Sequence, residues 1–118
     1  TNYLQVSKDN MFAQAFSHIS LDLLSLGKSF LFLDNKSKDS ALLRKNFDMI
    51  YKNYDNVVNS IINRDIEKIK PFIKDFEHQN RRLDEFLKNL EDTPMIQATG
   101  FLIAIKFHIR DLAFTALT

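Results

Sequence analysis

Residues 43–61 read LRKNFDMIYKNYDNVVNSI and carry the most regular apolar repeat in the chain. Large apolar side chains recur there at alternating spacings of four and three: Leu43, Phe47, Ile50, Tyr54, Val57 and Ile61. These spacings place them along one side of an α-helix, and the polar residues between them fall on the opposite side. The stretch therefore predicts an amphipathic helix with one face in a core.

The segment before this helix predicts another helix of similar length. Asn10 is a candidate N-cap, and the apolar residues after it recur every three or four positions: Phe12, Phe16, Ile19, Leu23, Leu26 and Phe30. Residues 34–40 form a polar loop, in which Asp39 or Ser40 is the expected cap of the next helix.

Two further helices follow residue 62. Asp65 is the expected cap of the third, whose inward residues are Ile66, Ile69, Phe72, Phe76, Leu83, Leu87 and Leu90. Pro71 either bends this helix near its start or marks its true first turn. Thr93 and Pro94 suit the N-cap and first position of the fourth helix, which is apolar on most sides. A helix of that kind is packed on several sides or held in an interface.

The composition agrees with a helical protein. Only two Gly and two Pro occur in 118 residues, which leaves little material for hairpins, and the eleven Phe suit a large core. We predict an all-α fold, an antiparallel four-helix bundle, that forms one domain over residues 1–118. The chain starts without Met and ends within an apolar pattern, so we expect it to be part of a longer protein.

Charge and cysteine content exclude several classes of function. The chain has sixteen basic and fifteen acidic residues, so it lacks a basic excess. This balance disfavours direct binding of nucleic acid by this segment. No apolar run is long enough to span a bilayer. The absence of cysteine rules out a disulfide framework and thiolate chemistry, and together with the absence of a signal peptide it favours the cytoplasm.

Motifs for catalysis are missing from the chain. The only two glycines, Gly27 and Gly100, are too far apart to form a phosphate-binding loop. There is no nucleophile elbow, and no two acids stand three or four positions apart, as a di-metal carboxylate site requires. The sequence therefore predicts a protein that is not an enzyme and needs no cofactor.

Two acid–histidine pairs are the main polar candidates. Asp75 with His78 and His108 with Asp111 are each one helical turn apart, on helices expected to be neighbours. If both pairs face inward at one level, they form a site for a single metal ion. The competing interpretation is a set of solvated surface pairs, or a buried hydrogen-bonded network of Asp111 with His108, Arg110 and Asn80.

Adjacent basic residues offer a second type of site. Arg81 and Arg82 suit contact with an acidic partner or a phosphate group, although a solvated face is the simpler interpretation.

The second half of the chain resembles the PhoU-like family of phosphate-uptake regulators. The similarity runs from about residue 47 to 118 and lies in the segment that ends at Asp65, the polar step at Asn80, and the motif HIRDLA at residues 108–113. In that motif Ile109, Asp111 and Ala113 match the family pattern. His108 stands where the family usually has Arg, and Arg110 replaces a small residue.

The resemblance implies a regulatory helical bundle that communicates with phosphate transporters and sensor kinases. It also implies loss of the metal site that some members hold with acid-x-x-x-Asp motifs, because Phe107 precedes Asp111 by four positions and Gln79 follows Asp75 by four. Asp111 is then expected to be a buried structural acid or a docking residue, and the fourth helix is expected to contribute to the core and to a homodimer seam.

The alternative is a ligand- or host-protein-binding helical surface domain from an AT-rich organism, which the abundance of Asn, Lys, Ile and Phe favours.

Overall fold

The computed structural model describes residues 3–118 of the protein. These residues form four α-helices: α1 (Tyr3–Phe30), α2 (Lys38–Ile62), α3 (Lys70–Lys88) and α4 (Thr93–Leu117). A single 3₁₀ turn at Ile66–Lys68 joins α2 to α3, and the described residues contain no β-strand. The prediction of an all-α fold is confirmed, and the helices pack together in the manner of a bundle.

Helix α4 occupies the centre of the molecule and contacts each of the other three helices. Partly buried Phe101, Ile103 and Phe107 pack against the core on either side of one fully buried apolar stripe: Met95, Ala98, Leu102, Ile105, Ile109, Leu112 and Ala113. A helix with apolar side chains nearly all round is stable only when neighbours cover several of its sides. The expectation that this helix is packed on several sides is therefore confirmed.

The apolar repeat of α2 faces the core, as its spacing predicts. Leu43, Ile50 and Val57 are buried, and the alternate members of the repeat pack against the core at partial exposure. One of these, Phe47, meets Phe30 of α1 edge to face, with ring centroids 6.3 Å apart.

None of the four predicted helix caps matches the structure. Asn10 lies inside α1, which begins seven residues earlier because nothing in residues 3–9 interrupts a helix. Ser37, rather than Asp39 or Ser40, caps α2: its hydroxyl accepts a 3.0 Å hydrogen bond from the backbone N–H of Ser40. Its extended backbone aims that oxygen at the first helical turn.

The fourth helix begins one residue earlier than expected. Asp92 is the N-cap, and its carboxylate accepts a 3.3 Å hydrogen bond from the backbone N–H of Met95. Thr93 and Pro94 therefore fill the first two helical positions, where proline costs no hydrogen bond.

The link between α2 and α3 is tighter than the sequence indicates. Arg64 adopts a left-handed conformation with φ of 56°, and the backbone N–H of Asp65 donates to the carbonyl of Ser60 at 2.9 Å. These features close the end of α2. Asp65 precedes the 3₁₀ turn without a side-chain capping bond, and α3 proper begins at Lys70, so Pro71 marks its first turn.

Candidate interaction site

Several large apolar side chains are exposed on the side of α1 that faces away from α4 and on the turn after it. We define the outer face as Leu21, Leu24, Leu31 and Phe32, which are 59%, 58%, 80% and 72% exposed. Leu21, Leu24 and Leu31 are separated by three and seven positions, so they lie on one side of the helix axis. Leu31 belongs to the turn that directly follows α1. Leu23, which the periodicity places in the core, is also exposed, at the edge of this face.

This exposure arises because α1 has one main neighbour. Its inward stripe of Ala15, Ile19 and Leu26 is buried, chiefly against α4. The exposed leucines of α1, Leu21 and Leu24 among them, have no helix to cover them within residues 3–118. A contiguous patch of large apolar side chains on a protein surface is typical of a site that binds another protein.

A cluster of histidine and aspartate side chains ties α1 to α4. The Nε2 atom of His108 lies 3.2 Å from Oδ2 of Asp22, and its Nδ1 atom lies 3.8 Å from Oδ2 of Asp111. The ring of His18 lies against the ring of His108, with centroids 4.8 Å apart. Oδ2 of Asp22 is buried and forms no hydrogen bond among the described residues, so its contact with His108 is an ion pair when the imidazole is protonated.

Asp111 is not the buried acid that the sequence suggests. Its side chain is 54% exposed and lines a groove between α1 and α4. The buried stripe of α4 passes through its neighbours Leu112 and Ala113, which turns Asp111 toward the edge of the helix. The alternative role, that of a docking residue, remains a prediction.

The four-residue polar network predicted around Asp111 is not formed. Only His108 and Asp111 lie together. The guanidinium of Arg110 instead lies over aromatic rings, 4.7 Å from the centroid of Phe107 and 5.3 Å from that of Phe76. The Oδ1 atom of Asn80 is buried and has no hydrogen-bond partner among residues 3–118. His108 therefore makes its interhelical polar contact with Asp22 of α1, not with a residue of α3.

Lys106 is a buried cation that was not predicted from the sequence. Its Nζ atom donates a 3.1 Å hydrogen bond to the carbonyl oxygen of Phe76 and lies 4.8 Å from the centroid of that ring. Burial lowers the pKa of Lys106 to about 8, against the opposing attraction of Glu77 and Asp84. The sequence feature that indicates its burial is its position between Leu102 and Ile109, at helical spacing on the buried stripe of α4.

The residues of the metal hypothesis do not converge. Asp75 and His78 are exposed on α3, whereas His108 contacts α1. Within the described part of the chain, no group of three or more histidine, aspartate or glutamate side chains is placed to hold a metal ion. The hypothesis fails because the two helices turn their acid–histidine pairs in different directions.

The basic pair on α3 is open to solvent. Arg81 and Arg82 are both exposed, and neither forms an ion pair with another residue of the described chain. Arg82 lines a groove between α2 and α3 beside Lys45 and Lys52. Their predicted role in binding an acidic partner or a phosphate stays a prediction.

Comparison of the chain with protein-family models, with curated proteins and with solved structures gives no match. None of the helices in residues 3–118 has the length and apolar character needed to cross a membrane. The candidate site is therefore described by its own geometry: an exposed apolar helix face beside a polar groove.

Proposed function

We propose that this chain is a non-enzymatic regulatory module that acts by binding other proteins, in the manner of PhoU-type phosphate-signalling regulators. In this proposal it works in the cytoplasm, and its partners are a phosphate transporter or a sensor kinase. The proposal gives the domain the architecture of an antiparallel four-helix bundle.

The single observation that carries the proposal is the outer face of α1. When a partner covers apolar side chains that are in contact with water, the free energy of binding becomes more favourable by roughly 25 cal/mol for each Å² of apolar surface buried. Leu31 and Phe32 are the most exposed members, at 80% and 72%, and offer the largest gain. A binding module needs such an uncovered face, whereas a catalyst needs a set of reactive groups around a substrate cavity.

Contacts between helices support the proposed architecture. Asp22 of α1 meets His108 of α4, while the end of α1 at Lys28 shares a groove with Pro94 at the start of α4. Early residues of α1 thus lie near late residues of α4, as an antiparallel pair requires. The side chain of Asn53 in α2 donates a 2.8 Å hydrogen bond to Gln79 in α3.

Affinity capture from native lysate tests the proposal. Three baits are compared: the wild type, the double variant Leu21→Ser with Leu24→Ser, and the control Ile62→Ser, which removes an exposed apolar side chain from α2. We expect a phosphate-transporter ATPase or a sensor kinase on the wild type and the control, and its loss on the double variant. Circular dichroism checks that all three are equally folded.

Three outcomes contradict the proposal. If the double variant retains the same proteins, their binding does not depend on the outer face of α1. Recovery of only the chain itself indicates self-association through a homodimer seam, and recovery of host extracellular proteins supports the surface-domain alternative.

A further inference from the structure

A groove between α1 and α4 lies next to the outer face of α1. It has a volume of about 260 Å³, and its walls include Met11, Gln14 and His18 from α1 with Asp111 and Phe114 from α4. We call it the Asp111 groove. This volume is large enough for the end of one long side chain.

The charge of the groove favours a cation. Asp111 contributes a carboxylate, and none of the residues that line the groove is lysine or arginine. No lysine or arginine of residues 3–118 forms an ion pair with Asp111 either. Its one charged-group contact is Nδ1 of His108, at 3.8 Å, which is beyond hydrogen-bonding distance. The carboxylate therefore keeps the capacity to accept hydrogen bonds from an incoming group.

The apolar walls suit the same kind of group. Phe114 follows Asp111 by three positions and lies on the same side of α4, with 45% of its surface exposed. Arg110 lies nearest to the ring of Phe107, at 4.7 Å, compared with 5.8 Å from Phe114. A carboxylate beside an aromatic ring and the thioether of Met11 binds the charged end of lysine or arginine and also its aliphatic stem.

The groove and the outer face form one continuous surface. His18 lines the groove and precedes Leu21 by three positions, so the two side chains are neighbours on α1. A partner that covers Leu21 and Leu24 with apolar side chains therefore passes beside Asp111.

From these observations we infer that the Asp111 groove receives a lysine or arginine side chain from a partner protein, presented by an amphipathic helix whose apolar residues cover the outer face of α1. The inference rests on the proposed function and specifies the chemistry of the partner: a helix with an apolar stripe and a basic residue beyond one end of it.

Two synthetic peptides and three protein variants test this inference. Both peptides are amphipathic helices with one leucine stripe; the first ends that stripe with arginine and the second with glutamine. Binding of each peptide is measured by fluorescence anisotropy to the wild type, to Asp111→Asn, and to Asp55→Asn, which makes the same change at an exposed acid of α2.

We expect the wild type and Asp55→Asn to prefer the arginine peptide about threefold, as for a partly exposed ion pair, and Asp111→Asn to show no preference. The preference should shrink as salt is added. An equal affinity of the wild type for both peptides overturns the inference, as does a preference that survives in Asp111→Asn.

The same data separate this inference from the proposed function. If both peptides bind the wild type equally and lose affinity on the double variant Leu21→Ser with Leu24→Ser, the outer face binds a helix and the groove has no role. If neither peptide binds the wild type, the helical partner is wrong, while the lysate capture still decides whether the outer face binds another protein.

Discussion

The Nε2 atom of His108 on α4 lies 3.2 Å from Oδ2 of Asp22 on α1, and both side chains are about three-quarters buried. This is the closest polar contact between the two helices among the described ion pairs and hydrogen bonds. Because α1 packs chiefly on α4, the pair helps to fix the position of the helix that carries the outer face.

A double-mutant cycle with Asp22→Asn and His108→Gln should measure this contact. We expect the two substitutions to be coupled by about 1 kcal/mol in the free energy of unfolding, because a partly buried ion pair is less screened by water than a surface pair. Urea denaturation of the four proteins at one pH gives the coupling.

The exposed pair on α3 provides the matched control for that cycle. Asp75→Asn and His78→Gln make the same chemical changes one helical turn apart on a solvated surface. Their coupling should stay below about 0.5 kcal/mol. Equal coupling in the two cycles would show that the contact between Asp22 and His108 has no special role.

The buried cation at position 106 predicts an unusual dependence of stability on pH. Burial lowers the pKa of Lys106 from 10.5 to about 8 in the folded protein. Between these values the unfolded chain binds more protons than the folded protein, so the free energy of unfolding rises as the pH rises through this window. Below the window, the folded protein bears the full cost of a buried charge.

Comparison with Lys106→Met isolates this effect, since the two proteins differ only at this position. The wild type should gain up to about 3 kcal/mol relative to the variant between pH 8 and pH 10.5, at roughly 1.4 kcal/mol per pH unit. Urea denaturation across the range supplies both profiles. Parallel profiles would contradict the assigned state of Lys106.

The exposure of Asp111 predicts a small effect on stability. Asp111→Ala should change the free energy of unfolding by less than about 0.5 kcal/mol, because a half-exposed carboxylate without a close hydrogen bond contributes little. Thermal denaturation checks this value. A loss of several kcal/mol would instead support the buried network that the sequence alone suggests.

Periodicity was sufficient to predict the helices and the core face of α2. Apolar residues spaced alternately three and four positions apart lie on a single face of a helix. Leu43, Ile50 and Val57 lie on that face of α2, and all three are buried. Helix caps could not be predicted to the residue. The polar segment 34–40 holds several side chains able to cap α2, and only the backbone geometry selects Ser37.

The polar contacts were harder to predict because each one depends on a second helix. Asp22 and Lys106 both occupy positions on buried stripes, between Ile19 and Leu26 in the first case. A polar residue on a buried stripe is expected to contact another polar group, but the sequence does not show which residue supplies that group. The outer face of α1 was missed although Leu21 and Leu24 lie off the predicted apolar repeat, because their exposure depends on the number of neighbouring helices.

Site-specific photocrosslinking in the native lysate tests the central claim, that α1 binds another protein, most directly. A photoreactive benzoylphenylalanine replaces Leu24 on the outer face or, as a control, the similarly exposed Tyr51 on α2. We predict a covalent adduct with a different protein at position 24 and none at position 51. No adduct at position 24, or the same adducts at both positions, would contradict the account.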